Sequence, residues 1–199
     1  MVGLIALLLS ALLCPDLPGE TCVPAESRVI RWVEPWQDEI EVRRFGRPGL
    51  STALIMAVIA QESQGDPKIT SEDGGVGLMQ IVPRPWLGTA EDLKNWDFNL
   101  NVGMGILSQA LRENNGDVLL ALALYNCSEA EVARSNKGKL SSCGRFGGYR
   151  YARRVLEYWC PAFATGPDDC SAQIDFPVRG LLPRPAPRVC PVIPSRCPE

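Results

Sequence analysis

The chain of 199 residues contains no histidine. This absence excludes the Ser-His and Cys-His pairs of many nucleophilic enzymes, and it excludes metal sites built on imidazole. Proton transfer in this protein must therefore rely on carboxylates, tyrosines, lysines or cysteines. No two cysteines form a Cys-x-x-Cys pair, so the sequence does not indicate a zinc cluster either. We expect no metal and no organic cofactor.

Positive charge is not in excess, because 20 lysines and arginines face 23 acidic residues and the net charge is −3. Such a chain has no global basic field to attract phosphate backbones. We therefore expect no nucleic acid among its partners. The length favours one domain with appendages, and we expect a monomer.

Long hydrophobic runs are also lacking. The segment Met1–Cys14 is almost wholly apolar, but a helix needs roughly 20 residues to cross a bilayer. The segment is typical of the core of a secretory signal, although no basic residue precedes that core. The eight cysteines agree with export, because disulfides form in oxidising compartments. We predict a secreted or cell-envelope protein, with Cys127–Cys143 and Cys190–Cys197 as candidate disulfides.

Composition divides the chain into four segments. Residues 1–20 are signal-like, 21–48 form an N-terminal extension, 49–163 form the main domain, and 164–199 form a tail rich in proline and cysteine. The extension carries Trp32 and Trp36. These side chains would either stack on a sugar or pack on the protein, and packing is the favoured interpretation.

One apolar helix ends in a carboxylate. Ser51 is a suitable N-cap, and Gly65 ends the helix together with Pro67. One face of this helix is apolar and is formed by Leu54, Ile55, Val58 and Ile59. Glu62 continues that face at helical spacing. An apolar environment and the negative end of the helix dipole both disfavour the ionised form of Glu62 and raise its pKa. Such an acid is a candidate proton donor, whereas a surface Glu in a frayed last turn is the alternative.

The rest of the main domain also shows helical patterns. We predict a loop over Pro83–Trp96 and then a helix over Asn99–Arg112, where Gly103 and Gly105 indicate close helix packing. Asp117 is predicted to cap a helix that runs to Leu124 and is buried all round. A last amphipathic helix is predicted over Tyr149–Trp159, and Asn101 is predicted to be structural.

Beyond Glu62-Ser63 the chain reads Ser71-x-x-Gly74-Gly75-x-Gly77-Leu78-Met79-Gln80. The glycines are not followed by Gly-Lys-Ser/Thr, so a phosphate-binding loop is not indicated. Three further motifs follow: Asp97-x-x-x-Asn101-Val102-x-x-Gly105, Ala121-Leu122-Ala123-Leu124-Tyr125-Asn126, and Tyr151-Ala152-Arg153-Arg154-Val155.

These motifs, in this order, resemble the signature of the soluble lytic transglycosylase (SLT) family. The resemblance covers roughly residues 50–163, and Gly75 stands where the family has Ala. It implies a mostly α, lysozyme-like α+β domain with a small β-turn or hairpin region. It also implies Glu62 as the catalytic residue and a set of substrate-binding residues, namely Ser71, Met79, Gln80, Tyr125, Asn126 and Tyr151.

By this resemblance the partners are the glycan strands of peptidoglycan. Glu62 would act as acid and then as base, cleaving the bond between N-acetylmuramic acid and N-acetylglucosamine with formation of a 1,6-anhydro ring. One alternative is a lysozyme-like hydrolase on the same scaffold, in which Asp73 positions water. Another is a secreted glycan-binding protein in which Glu62 is inert.

Overall fold

The computed structural model of the protein describes residues 25–127, 147–166 and 169–170, and its regular structure is helical. None of the helices in these ranges is both long and apolar enough to cross a membrane. In chain order the elements are α1 (Ala25–Val33), a 3₁₀ turn (Glu34–Trp36), α2 (Gln37–Arg44), α3 (Thr52–Glu62), α4 (Ala90–Leu93), α5 (Trp96–Glu113), α6 (Val118–Asn126), α7 (Gly148–Arg153), a π-helical segment (Arg154–Trp159) and α8 (Cys160–Phe163).

Helix α3 lies at the centre of the fold. The backbone N–H of Leu54 donates to the Ser51 hydroxyl, which confirms the predicted N-cap. Every residue from Ala53 to Ala60 is buried, so the helix is enclosed on all sides and not only along one apolar stripe. Helices α1, α2 and α8 and the π-helical segment pack around it. The polar end of an otherwise buried helix therefore carries Glu62.

Residues of the segment that was predicted as an N-terminal extension contribute to this same core. Val33 and Ile40 are fully buried, and Val29 is nearly so. Trp36 packs as favoured, with its ring centroid 5.6 Å from that of Trp96. Trp32 instead remains 53% exposed.

The region between α3 and α5 contains turns rather than strands. The pairings in the described residues are single bridges, Thr70–Val76, Val76–Ile81 and Arg84–Gly88. The prediction of a continuous loop over Pro83–Trp96 is wrong in part, because helix α4 forms there. Thr89 and Asp92 cap that helix reciprocally, since each side chain accepts a bond from the other residue's backbone N–H.

Helix α5 begins at Trp96, three residues before the prediction, because Asn95 accepts bonds from the backbone N–H groups of Asp97 and Phe98. Helix α6 begins as predicted after its N-cap Asp117. It is not buried all round, however. Three of its leucines are only half-buried, namely Leu119, Leu120 and Leu124.

The predicted last helix is interrupted. An α-helical turn passes into a π-helical segment and then into α8, so the wider π turn changes the phase at which side chains face the core. A disulfide between Cys160 and Cys170 joins α8 to the start of the tail, a pairing that the sequence did not predict. Cys127 is also disulfide-bonded. Cys143, Cys190 and Cys197 lie outside the described residues, so the two predicted pairings stay predictions.

We expect the two glycines of α5 to respond oppositely to alanine. A Cβ at Gly103 would lie 2.8 Å from the Met79 Cβ, whereas a Cβ at Gly105 would meet nothing within 4 Å. Gly103→Ala should cost about 1–3 kcal/mol through overpacking, and Gly105→Ala should stabilise the protein by about 0.5–1 kcal/mol through helix propensity. Urea unfolding of both variants measures the difference, and equal free energies of unfolding would contradict the close packing at Gly103.

Candidate active site

The C-terminal end of α3 is fixed in place just beyond Glu62. Ser63 is buried, and its hydroxyl donates to the Ile59 carbonyl at 3.2 Å while accepting from the Gly65 N–H at 3.2 Å. The Trp36 indole N–H donates to the Gly65 carbonyl at 3.1 Å. The backbone that follows the carboxylate is thus bonded to both α3 and the 3₁₀ turn.

Tyr151 is the direct partner of Glu62. Its hydroxyl donates to Glu62 Oε1 at 2.5 Å, and its side chain is only 6% exposed. Tyr149, in contrast, is 40% exposed. Helix α7 approaches α6 closely because Gly148 has no side chain, and a Cβ there would lie 2.6 Å from the Ala123 carbonyl oxygen. The structure therefore brings Tyr151, not Tyr149, to the carboxyl group.

Burial raises the pKa of Glu62 from 4.5 to about 7. The bond from Tyr151 opposes this shift, because it stabilises the carboxylate, and the negative charge of Asp73 adds to it. The direction agrees with the prediction made from the helix. At neutral pH a substantial fraction of Glu62 therefore carries a proton that is available for transfer.

A second, half-buried tyrosine lies close enough to interact electrostatically with Glu62. Tyr125, at the end of α6, donates from its hydroxyl to the Met79 carbonyl at 2.7 Å. Burial, followed by the charge of Glu62, raises the pKa of both Tyr125 and Tyr151 well above the usual tyrosine value. Both phenols therefore stay neutral and act as hydrogen-bond donors. The neighbouring Asn126 is half-buried, and its amide N–H contacts the Cys127 sulfur at 3.5 Å.

Ser71 and Gln80 close the glycine-rich turn that follows α3 in the chain. The Gly75 N–H donates to the Ser71 hydroxyl at 2.9 Å. The Gln80 amide donates to the Gly77 carbonyl at 2.9 Å and to the Ile69 carbonyl at 3.3 Å. Gln80 itself has a φ of 49°, a left-handed conformation that is uncommon for a residue with a side chain. Both predicted substrate-binding side chains are thus engaged within the turn.

The glycine at position 75, where the family signature has Ala, is explained by these contacts. A Cβ at Gly75 would lie 2.9 Å from Gln80 Oε1 and 3.0 Å from the Ser71 hydroxyl. The space of a methyl group is therefore occupied by the side chain of Gln80, which folds back over the turn.

Met79 points into the core. Its side chain has no exposed surface, and the absence of a side chain at Gly103 leaves room for it. Its backbone is engaged as well, because the N–H donates to Asn99 Oδ1 at 2.8 Å and the carbonyl accepts the bond from Tyr125. The structure therefore leaves no exposed part of Met79 for a ligand, and its assignment to substrate binding stays a prediction.

Asn99 is the residue that the sequence analysis missed. Its amide is fully buried: Oδ1 accepts from the Met79 N–H at 2.8 Å, and Nδ2 donates to the carbonyls of Val76 at 2.7 Å and Leu93 at 2.9 Å. A Cβ at Gly77 would lie 2.5 Å from Asn99 Nδ2, which explains why position 77 is occupied by glycine. The available signal was its position four residues before Gly103, on the same helix face.

Asn101 has the structural role that was predicted, in a half-buried position. Its side chain accepts from Arg47 at 3.1 Å and donates to the Asp97 carbonyl at 2.9 Å, while Asp97 pairs with Arg43 at 2.6 Å. This motif therefore joins α5 to the chain around α2.

No group of three potential metal ligands occurs within residues 25–127, 147–166 and 169–170.

Comparison with known proteins adds to this geometry. The family model described as "Transglycosylase SLT domain" matches residues 43–142. An endo-type membrane-bound lytic murein transglycosylase A from Klebsiella pneumoniae is 33% identical over 97 residues, which cover 37% of this chain and 48% of that protein. A soluble lytic murein transglycosylase from Salmonella typhimurium is 29% identical over 94 residues, which cover 42% of this chain and 15% of that one.

The matched region thus spans about half the length of the first of these relatives and much less of the second. Among solved structures, the 70 kDa soluble lytic transglycosylase from Escherichia coli matches with a TM-score of 0.54 and 20% identity, over 68% of this chain and 26% of that one. This similarity confirms the predicted mostly helical, lysozyme-like fold.

We expect Glu62→Gln to stabilise the protein in a pH-dependent way. The pKa of Glu62 is raised on folding, so its favourable contribution is complete below pH 4.5 and is lost as the pH rises to about 7. The isosteric amide still accepts the Tyr151 bond and does not ionise. The gain over wild type should therefore grow between these pH values by up to about 3 kcal/mol. Urea unfolding at pH 4 and pH 8 measures it, and the same difference at both pH values would refute the shift.

We expect Asn99→Ala to destabilise the protein by about 3 kcal/mol or more, because three buried backbone groups lose their partner. Asn101→Ala on the same helix is the matched control and should cost about 1 kcal/mol or less, since its bonds lie nearer to solvent. Thermal unfolding followed by circular dichroism measures both. Comparable losses in the two variants would show that Asn99 has no special role.

Proposed function

Because the chain belongs to the family of the transglycosylase SLT domain, we propose that it is a lytic transglycosylase that cleaves the glycan strands of murein. The observation that supports this proposal most directly is the Glu62 carboxyl. It is half-buried, bonded to Tyr151, and has a pKa of about 7. A carboxyl group in this state serves equally well as an acid and, once ionised, as a base.

In the proposed reaction Glu62 protonates the glycosidic oxygen between N-acetylmuramic acid and N-acetylglucosamine, and the bond from that oxygen to the muramic C1 breaks. The 2-acetamido group stabilises the positive charge that develops at C1. The Glu62 carboxylate then takes the proton of the C6 hydroxyl, and O6 bonds to C1. This closes a 1,6-anhydro ring, consumes no water, and leaves Glu62 protonated again.

Tyr151 has a part in both steps. Its hydroxyl donates to Glu62 Oε1, which holds the carboxyl group in one orientation and leaves the other oxygen to exchange the proton. The same bond stabilises the carboxylate after proton transfer. Ser71, Gln80, Tyr125 and Asn126 remain the proposed substrate-binding residues, whereas the fully buried Met79 would support the turn that carries Gln80.

A hydrolase is the second candidate, because the charge of Asp73 raises the pKa of Glu62 and must therefore lie near it. Hydrolytic glycosidases pair two carboxylates across the bond, and Asp73 would position water. A glycan-binding protein with an inert Glu62 is less well supported, because binding sugars requires no carboxyl group with a raised pKa. Among the relatives, one is described as membrane-bound and another as soluble. We propose a location in the cell envelope for this chain.

The test is digestion of purified murein by the full chain, with mass spectrometry of the soluble products. We expect fragments with 1,6-anhydro ends that lack one water, and we expect Glu62→Gln to release none. Hydrated reducing ends would contradict the transglycosylase and support the hydrolase. No release by the folded wild type would contradict both.

Asp73→Asn separates the two enzymatic candidates further. In a transglycosylase this variant keeps its anhydro products, and its activity declines at a lower pH than that of wild type, because the pKa of Glu62 falls when the neighbouring charge is removed. Loss of activity at every pH would instead assign Asp73 a chemical role.

A further inference from the structure

The turn that follows Glu62 has an unusual backbone conformation. Gln64 has a φ of 55° and Gly65 a φ of 90°, so two consecutive residues adopt the left-handed region. A residue with a side chain seldom adopts this region, and such a conformation persists only where surrounding contacts hold it. The backbone just beyond the candidate catalytic carboxyl therefore depends on its neighbours for its shape.

Two of those neighbours belong to α1 and the 3₁₀ turn. The Trp36 indole N–H donates to the Gly65 carbonyl at 3.1 Å, a bond between residues that are 29 positions apart. A Cβ at Gly65 would lie only 2.5 Å from the Trp32 carbonyl oxygen, so the two backbones are in contact. Both contacts act on the backbone of the turn. Its conformation is thus set in part from outside α3.

The indole of Trp36 is itself held in place. Its ring centroid lies 5.6 Å from that of Trp96, the first residue of α5. The Arg43 guanidinium lies 4.8 Å from the centre of the Trp96 ring, and Arg43 Nε donates to Asp97 Oδ1 at 2.6 Å. A cation over an indole and a paired carboxylate restrict the motion of these side chains. The donor of Trp36 is therefore directed at Gly65 from a fixed position.

A displaced turn would move the candidate catalytic group. Glu62 is the last residue of α3, and its carboxyl accepts the bond from Tyr151 of α7 at 2.5 Å. Catalytic groups must be held within about 0.5 Å of their productive position, and a misplacement of about 1 Å can lower a rate about 100-fold. A contact at Gly65, three residues beyond Glu62, can therefore control how well the carboxyl meets both Tyr151 and a substrate.

The contact from Trp36 comes from outside the matched family region. The SLT domain model matches residues 43–142, whereas the 3₁₀ turn and the whole of α1 precede that range. None of the four sequence motifs contains Trp36. The segment that was predicted as an N-terminal extension thus supplies a contact next to the candidate active site.

We propose that Trp36 is a positioning residue, which holds the Glu62 carboxyl in its place beside Tyr151 through the bond to Gly65. The catalytic meaning of this assignment rests on the proposed function. Trp36 does not contact the reacting atoms, and it acts through the backbone of the turn on the end of α3. Its loss should therefore lower kcat and leave KM almost unchanged.

Trp36→Phe removes the indole N–H and keeps an aromatic ring beside Trp96. We expect kcat for the cleavage of soluble murein strands to fall about tenfold or more, and KM to change less than about twofold. Circular dichroism at the assay temperature shows whether the variant is fully folded. Wild-type kcat in the folded variant would overturn the proposal.

Trp159→Phe is the matched control. It also removes an indole N–H bond at the end of α3, but this bond goes to the Gln61 side chain at 3.0 Å and not to the backbone. The Trp159 ring is only 6% exposed, so the control loses at least as much packing. We expect its kcat to stay within about twofold of wild type. Equal kcat losses in the two folded variants would assign the effect to general destabilisation and overturn the proposal.

Benzothienylalanine at position 36 is the second variant, for use if Trp36→Phe does not fold. It keeps the size and shape of the indole and lacks only the N–H donor. The same loss of kcat is expected, and wild-type kcat would overturn the proposal.

Carbon-13 NMR titration of the Glu62 carboxyl gives a readout that requires no turnover. Burial is the main cause of the raised pKa of Glu62, about 7, so a looser turn that admits water should lower this pKa toward 4.5 in Trp36→Phe. An unchanged or higher pKa would overturn the proposal. The substitution changes none of the other titratable groups that act on Glu62. In the described part of the chain these are Asp73, Tyr125 and Tyr151.

The two readouts separate this proposal from the proposed function. A lowered pKa of Glu62 in Trp36→Phe, with no murein cleavage by wild type, would refute the proposed reaction but keep the positioning role. Murein cleavage by Trp36→Phe with wild-type kcat and an unchanged pKa of Glu62 would do the reverse.

Discussion

The three hydrogen bonds of the Asn99 amide hold together a region that has no sheet of its own in the described residues. Chain segments around Val76, Met79 and Leu93 each present a backbone group that helix bonding cannot satisfy, and the one buried side chain supplies all three partners. The Gly77 turn fits against the same amide. Because Tyr125 in turn bonds the Met79 carbonyl, the position of the turn also fixes a phenol near Glu62.

Two opposing effects set the pKa of Glu62. Enclosure by apolar neighbours raises its pKa to about 7, while the bond from Tyr151 keeps it from rising further. The outcome is a group that exchanges its proton near neutral pH. The same enclosure disfavours the ionised form of Glu62 in the folded protein and so reduces the free energy of unfolding at neutral pH.

Two glycines near Glu62 allow close packing, and one of them, Gly75, departs from the family signature. Gly75 leaves space that the Gln80 side chain fills, so the turn stays closed although a methyl group is missing. Gly148 allows α7 to approach α6, and this approach delivers Tyr151 to Glu62. At both positions the absence of a side chain permits close packing, and the residue that this packing positions belongs to the candidate site. The arrangement around Glu62 therefore depends on packing by neighbouring residues as well as on the residues of the family signature.

The sequence by itself determined the features that depend on local chemistry: the caps Ser51 and Asp117, the end of α3 at Glu62, and the direction of its pKa shift. Helix ends are set by nearby side chains and glycines, so a few adjacent residues suffice to predict them. Only the tertiary structure decided that Met79 points inward, that Asn99 rather than Asn101 bonds the core backbone, and that Cys160 pairs with Cys170. These features depend on contacts between different segments of the chain, and no local sequence pattern predicts which segments pack together.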